Sequence, residues 1–251
     1  MSKRTFAVGD IHGDLDALER LLERLPRLGT NDTLVFLGDY VDRGPASADV
    51  VVRVRELQAH CPATVVALRG NHEDAWLRVV DEGWPNFILP RGNGCLETLR
   101  SFAGKPQPAV DETADEDEFA ALLRGTFFPV DVVEWMRALP FFFEDEHALY
   151  VHAGLMRKDG AFPHPSQVTP SSLLLWVRDR DFFATYDGKL VVFGHTVTSD
   201  LPAELSSFTP DDPDDLWAGK ACAGLDTGAG KGGYLTALEL PNRYVYTSKI
   251  G

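Results

Sequence analysis

A mixed α/β domain with layered sheets is the fold class this sequence predicts, and three observations carry it. Short runs rich in Val, Leu and Phe recur along the chain, each ends in a glycine-containing polar loop, and helical patterns separate the early runs. A length of 251 residues is compatible with one large α/β domain or two small ones. The hydrophobic share of 44% and the charged share of 25% are those of a folded chain with a sizeable core.

The run Phe6-Ala7-Val8 is the first strand. Leu18, Leu21, Leu22 and Leu25 then share one helix face, Asp14 or Asp16 is available as its cap, and Pro26 ends it. Strands over 34–37 and 65–68 bracket a second helix over 48–60, so the first half reads β-α-β-α-β. Residues 74–143 carry mainly helical signals and are expected to be an insertion within a single domain spanning 1–251. Inside them the acidic run DETADEDE, 111–118, reads as a solvated loop or a helix start. Strands follow at 149–151 and 190–193. The chain from about Ala221 is strand-rich, with a hairpin of 234–240 and 244–246. PDDPDD, from Pro210, reads as a surface loop.

A net charge of −14 argues against a protein that grips nucleic acid by its phosphates, because that requires basic surface. Acidic residues gathered in a cleft would be partly neutralised by divalent cations. No apolar stretch approaches the length of a membrane helix, and the start MSKRTFAVGD carries no signal-peptide core, so a cytoplasmic protein without membrane contact is expected. Cys61, Cys95 and Cys222 are odd in number and far apart, and read as free thiols in a reducing compartment. A monomer is compatible with all of this.

Five loops after predicted strands carry possible metal ligands: GDIHG (9–13), GDYVDRG (38–44), RGNHE (69–73), VHAG (151–154) and FGHT (193–196). Strand carboxyl ends are where open α/β sheets place ligands, so the five can converge. Asp10 and His12, one residue apart, can reach one ion from an extended backbone; the competing reading has Asp10 capping a helix and His12 in a loop. Asn71 offers a neutral oxygen and His72 an imidazole, while Glu73 and Asp74 read as first-turn acids favoured by the helix dipole. His152 and His195 each follow an apolar strand directly; a lone histidine there is usually a hydrogen-bonded core residue, but two beside three such loops point to ligation. Hard oxygens mixed with imidazoles, without thiolate, suit Mn²⁺, Fe²⁺ or Zn²⁺. The number of donors suits two ions sharing a carboxylate about 3.5 to 4 Å apart.

Taken in this order, GDIHG, GDYVDRG, GNHE, HAG and GHT resemble the phosphoprotein phosphatase family of the calcineurin-like phosphoesterase superfamily. The compact bacterial and phage serine/threonine phosphatases are the most similar members. The resemblance implies a metallophosphatase fold: two mixed β-sheets packed as a sandwich, flanked by α-helices. It implies that Asp10 and His12 bind one metal, that Asp39 bridges, and that Asn71, His152 and His195 bind the second. His72 would be the proton donor, oriented by Asp42, with Arg43 on the phosphate. Arg178, in Trp176-Val177-Arg178, matches a second phosphate-binding arginine; its neighbour Arg180 reads as a surface salt bridge. HAG departs from the HGG and HAD forms of other members, and the 74–143 insertion, specific to this chain, is expected to shape the substrate entrance and so to bear on which substrate is taken. In the late GLDTGAGKGG, Asp226 or Lys231 could approach the site, with a structural loop as the competing reading.

The implied cofactor is a pair of divalent ions, Mn²⁺ first and Fe or Zn as alternatives. The implied reaction is direct attack of a metal-held hydroxide on phosphoserine and phosphothreonine, with a phosphorylated protein as the partner. An alternative substrate is a small phosphate compound such as a symmetrical dinucleoside polyphosphate. A non-catalytic scaffold is disfavoured by the full set of ligands and acid.

Overall fold

The structure, a computed structural model, describes residues 3–207 and 215–250. The PDDPDD stretch therefore lies outside the described residues, except for its final Asp215. In chain order the first half comprises β1 (Thr5–Val8), α1 (Leu15–Arg24), β2 (Thr33–Phe36), α2 (Ser47–His60) and β3 (Thr64–Ala67). Then come α3 (Asn71–Glu82), α4 (Pro85–Ile88), α5 (Cys95–Ala103), α6 (Glu116–Leu122) and α7 (Val130–Ala138). The second half holds β4 (Phe142–Glu144), β5 (Leu149–Val151), α8 (Arg180–Thr185), β6 (Val191–Phe193), β7 (Trp217–Ala218), β8 (Cys222–Gly224), β9 (Thr236–Leu240) and β10 (Tyr244–Thr247).

Two mixed five-stranded sheets result, ordered β10-β9-β1-β2-β3 and β4-β5-β6-β8-β7. The β-α-β-α-β start makes β1, β2 and β3 parallel, with Phe6 opposite Leu34 and Leu34 opposite Val65. Alternation along each strand sends side chains to two different cores. Phe6, Val8, Leu34 and Phe36 pack under α1, α2 and the later helices, whereas Ala7, Val35 and Leu37 join Tyr150, Val192 and Leu238 between the sheets. Leu149, Val151, Val191 and Phe193 turn to a third cluster with Phe182 and Phe183 of α8. Strands buried on both faces read as continuous apolar runs, which is why these were legible.

Local signals set most boundaries. The Asp14 side chain accepts the Ala17 N–H and caps α1, and Leu25 leaves the helix just before Pro26. The acidic run starts a helix: Asp115 and Glu118 form a capping box, and Glu118 is buried against Arg100 at 3.0 Å. Helical expectation to residue 143 fails at its end. α7 stops at Ala138, Leu139 turns extended before Pro140, and Phe142 and Phe143 pair with Val151 and Tyr150 as β4. A short run of phenylalanines has no period that separates helix from strand. No helix among the described residues is long and apolar enough to cross a membrane.

Candidate active site

The ends of β1, β2 and β3 in one sheet and of β5 and β6 in the other meet at one edge of the sandwich, and each of the five loops leaves there. The loops touch: a Cβ added at Gly38, whose φ is +112°, would lie 2.6 Å from Gly70 N. The sharp turns do not fall on glycines alone. His12, Asp39, Asp42, Arg43 and His195 have φ of 49°, 54°, 74°, 71° and 65°, a region that side chains with a Cβ seldom enter. Such strain persists where surroundings over-determine it, and it clusters at functional sites. Gly44 lacks positive φ and serves a close approach instead: a Cβ there would sit 2.3 Å from His12 O.

Asp39 is the hub. Its Oδ2 lies 3.5 Å from His12 Nε2 and 3.9 Å from His72 Nε2, and its Oδ1 lies 3.5 Å from His152 Nε2. Asn71 Oδ1 is 2.8 Å from both His152 Nε2 and His195 Nδ1. The backbone carbonyls of Val41 and Leu37 accept from Nδ1 of His12 and His152, at 3.1 and 2.9 Å, so both Nε2 atoms carry lone pairs. Lone pairs then face carboxylate and amide oxygens with no proton between them, an arrangement that a cation satisfies. Burial pushes the basicities of His12, His152 and His195 down, the last to about 2, and keeps these imidazoles neutral as ligation requires. Asp39 stays ionised: burial opposes its charge, and the His72 imidazole, together with the His72 N–H that Asp39 Oδ1 accepts at 3.0 Å, offsets it.

Two groups of buried side chains with ligand atoms within 4.8 Å of one another follow: His12, Asp39 and His72, and Asp39, His152 and His195. Asp39 is common to both, which is the topology of a bridging ligand. Asp10 stands beside these groups, its Oδ1 and Oδ2 accepting the His195 N–H at 3.1 and 2.9 Å. Burial first, then the charges of Asp226 and Asp39, push the Asp10 carboxyl well above its usual range. Asp226 is fully buried, its Oδ1 takes the Gly228 N–H, and its Oδ2 has no partner; burial raises it to about 6. Of the two late residues considered from sequence, Asp226 thus adjoins the site and Lys231 is exposed. Asp10, Asp39 and Asp226 thus bring three buried carboxylates near one another, a charge density that divalent cations would relieve.

On the other side of Asp39, His72 Nδ1 contacts Asp42 Oδ2 at 2.6 Å, and Arg43 Nη2 donates to His72 Nε2 at 3.3 Å. Arg43 Nε and Nη1 are buried without partners, so most of its guanidinium is uncommitted. Arg178 Nε donates to His195 Nε2 at 3.1 Å, which brings both arginines to one cavity of about 310 Å³ with Asp39, Asn71 and His72. Arg180 is directed elsewhere and pairs with Glu204 on the surface. Glu73 does more than favour a helix dipole: wholly buried, it accepts the N–H groups of Asp39, Tyr40, Val41 and Gly70 and so holds the GDYVDRG loop. Burial first, then Asp39, raises its carboxyl to about 7. A glutamate following His72 carried no sequence sign of this, because three of its four partners lie over 30 residues away.

Residues 3–199 match the calcineurin-like phosphoesterase family. A symmetrical bis(5'-nucleosyl)-tetraphosphatase of Dechloromonas aromatica is 32% identical over 152 residues, covering 61% of this chain and 44% of that protein. The serine/threonine-protein phosphatase rdgC of Drosophila melanogaster is 26% identical over 175 residues, covering 59% of this chain and 26% of that protein. The chain thus spans less than half the length of these curated relatives. A solved structure provisionally named a diadenosine tetraphosphatase superposes with a TM-score of 0.59 at 22% identity, covering 98% of this chain and 96% of that one, a likeness of fold. These relatives correct the expectation of a serine/threonine protein phosphatase with a phosphoprotein partner, since the tetraphosphatase is the more similar of the two by name. The physical reason is that the five loops carry candidate groups for metal and phosphate, and phosphate is common to both substrate classes, so the loops do not distinguish them.

Proposed function

The chain belongs to the calcineurin-like phosphoesterase family, and on that premise we propose that it hydrolyses small phosphate compounds of the symmetrical dinucleoside polyphosphate class. The observation that carries the substrate class is the 32% identity to the Dechloromonas aromatica tetraphosphatase. Enzymes of this family use a dinuclear divalent metal centre. In this chain Asp10, His12 and Asp39 would hold one ion, and Asp39, Asn71, His152 and His195 the other. Ligation by His195 Nδ1 calls for the Nε2–H tautomer, and hence release of the Arg178 contact, which frees Arg178 for substrate. The mixed oxygen and imidazole donors favour Mn²⁺, with Fe or Zn fitting the same set.

When bound, such ions would acidify a water and withdraw charge from phosphoryl oxygens. The chain's own residues do the rest. Arg43 and Arg178 bring forked N–H donors to the phosphate oxygens, where charge develops in the transition state. Once those oxygens take up Arg43, His72 Nε2 is free to carry the proton given to the leaving oxygen. The His72 imidazole is raised above its ordinary value: burial works against this, and Asp39 and Asp42 outweigh burial. Asp42 fixes the ring, so the protonated nitrogen faces the cavity. The three free thiols fit a cytoplasmic setting and take no part in this chemistry.

The test is turnover of diadenosine tetraphosphate with Mn²⁺, with products separated by chromatography. Two ADP per substrate is the expected result, and a phosphopeptide should be the poorer substrate by a wide margin. Absence of dinucleotide cleavage in an enzyme active on p-nitrophenyl phosphate would overturn the substrate class.

A further inference from the structure

A second cavity, of about 880 Å³, opens beside the metal-facing one and shares Trp176 and Arg178 with it. Apart from Arg178, its charges are already engaged. Asp74 is paired with Arg69 at 3.3 Å, and Asp179 caps α8 by accepting the Asp181 N–H. Arg78 faces Glu82 at 3.7 Å and lies over the Trp84 ring at 3.9 Å. With Asp74 and Glu82 so paired, the walls offer a polyphosphate chain no uncommitted cation besides Arg178, at the border with the metal-facing cavity. Apolar surface is plentiful: Trp176 meets His195 in a T-shaped contact yet is 45% exposed, and Leu173 is 41% exposed. Ser171 and Ser172 add hydroxyls.

We propose that this cavity is the subsite for one nucleoside end of the substrate, with the Trp176 ring as the platform for the base. A neutral, flat, hydroxyl-bearing group is what such walls accept. The base stacks on the indole, the ribose hydroxyls reach the serines and carboxylates, and the phosphates stay with Arg43 and Arg178. Continuity through Trp176 and Arg178 makes the subsite contiguous with the reacting phosphorus. The inference rests on the dinucleoside reading above.

The experiment compares KM and kcat for diadenosine tetraphosphate and for p-nitrophenyl phosphate, which has no nucleoside, in Trp176→Ala, Trp176→Phe and Ser172→Trp. Loss of a base–aromatic contact should raise KM for the dinucleotide about tenfold or more in Trp176→Ala, and Trp176→Phe should recover most of it. Ser172 lies outside the metal-facing cavity. Ser172→Trp, which fills the subsite, should raise the dinucleotide KM similarly while turnover of p-nitrophenyl phosphate stays within about twofold. An unchanged dinucleotide KM in Ser172→Trp, or equal losses on both substrates in that variant, overturns the subsite. If the wild-type protein cleaves p-nitrophenyl phosphate and leaves the dinucleotide intact, the substrate reading itself falls and the subsite with it.

Discussion

Asp42 Oδ2 lies 2.6 Å from His72 Nδ1, and the same carboxylate accepts the Trp76 indole N–H at 2.9 and 3.0 Å and the Thr98 hydroxyl at 2.6 Å. Asp42 is fully buried, so these contacts hold His72 in one orientation with Nε2 toward the cavity. On the function proposed above, GDYVDRG would divide its labour: Asp39 to metal, Asp42 to the orientation of His72, and Arg43 to phosphate.

His72→Asn should keep two metal ions and lose about 10² to 10⁴ in kcat, the usual contribution of a general acid. The loss should grow with the basicity of the leaving group: larger on phenyl phosphate than on p-nitrophenyl phosphate, and modest on a phosphoanhydride. Equal losses across the three substrates would remove His72 from proton transfer.

Thr98→Val removes one donor from a buried carboxylate and should destabilise the fold by about 1 to 3 kcal/mol. With fewer donors Asp42 becomes the stronger acceptor, so the His72 pKa should rise. The checking measurement is the pH profile of kcat/KM, whose basic limb should move up; a profile of unchanged shape would confine Thr98 to packing.

Asp39 touches ligand atoms on both sides of the pocket. Asp39→Asn should therefore lower metal content from two ions per chain to below one, measured by elemental analysis after dialysis. Retention of two ions would refute bridging.

Asp226 gives the metal-free protein a pH signature. Its carboxyl is raised from an ordinary 3.8 to about 6, so the folded chain holds a proton that the unfolded chain has already released between those values. That contribution is present in full below about pH 4 and is lost as pH rises through about 6, a change of about 3 kcal/mol. Denaturant unfolding with chelator present should find this decline in the wild type and a shallower one in Asp226→Asn. Parallel curves would mean that Asp226 has no raised titration.

Much of the site was legible because its candidate ligands sit in short loops after strands, and strand runs, caps and glycines are local signals. Glu73 was not legible, since its acceptor role depends on amides of another loop. The strand at Phe142–Glu144 was hidden for a related reason: its pairing with β5 had to choose between two readings of an apolar run. Substrate class was misjudged because metal and phosphate ligands are common to both classes.

The sequence by itself determined the order of the elements, the five loops and the residue types at their tips, because periodicity, capping and loop composition act within a few residues. Tertiary structure alone decided which oxygen of Asp39 meets which imidazole, that Asp226 adjoins Asp10, and that Trp176 stands between two cavities. Asn71 meets His152 across 81 positions, and Asp10 meets His195 across 185. Contacts that distant arise from the packing of two sheets against each other, which no local pattern along the chain records.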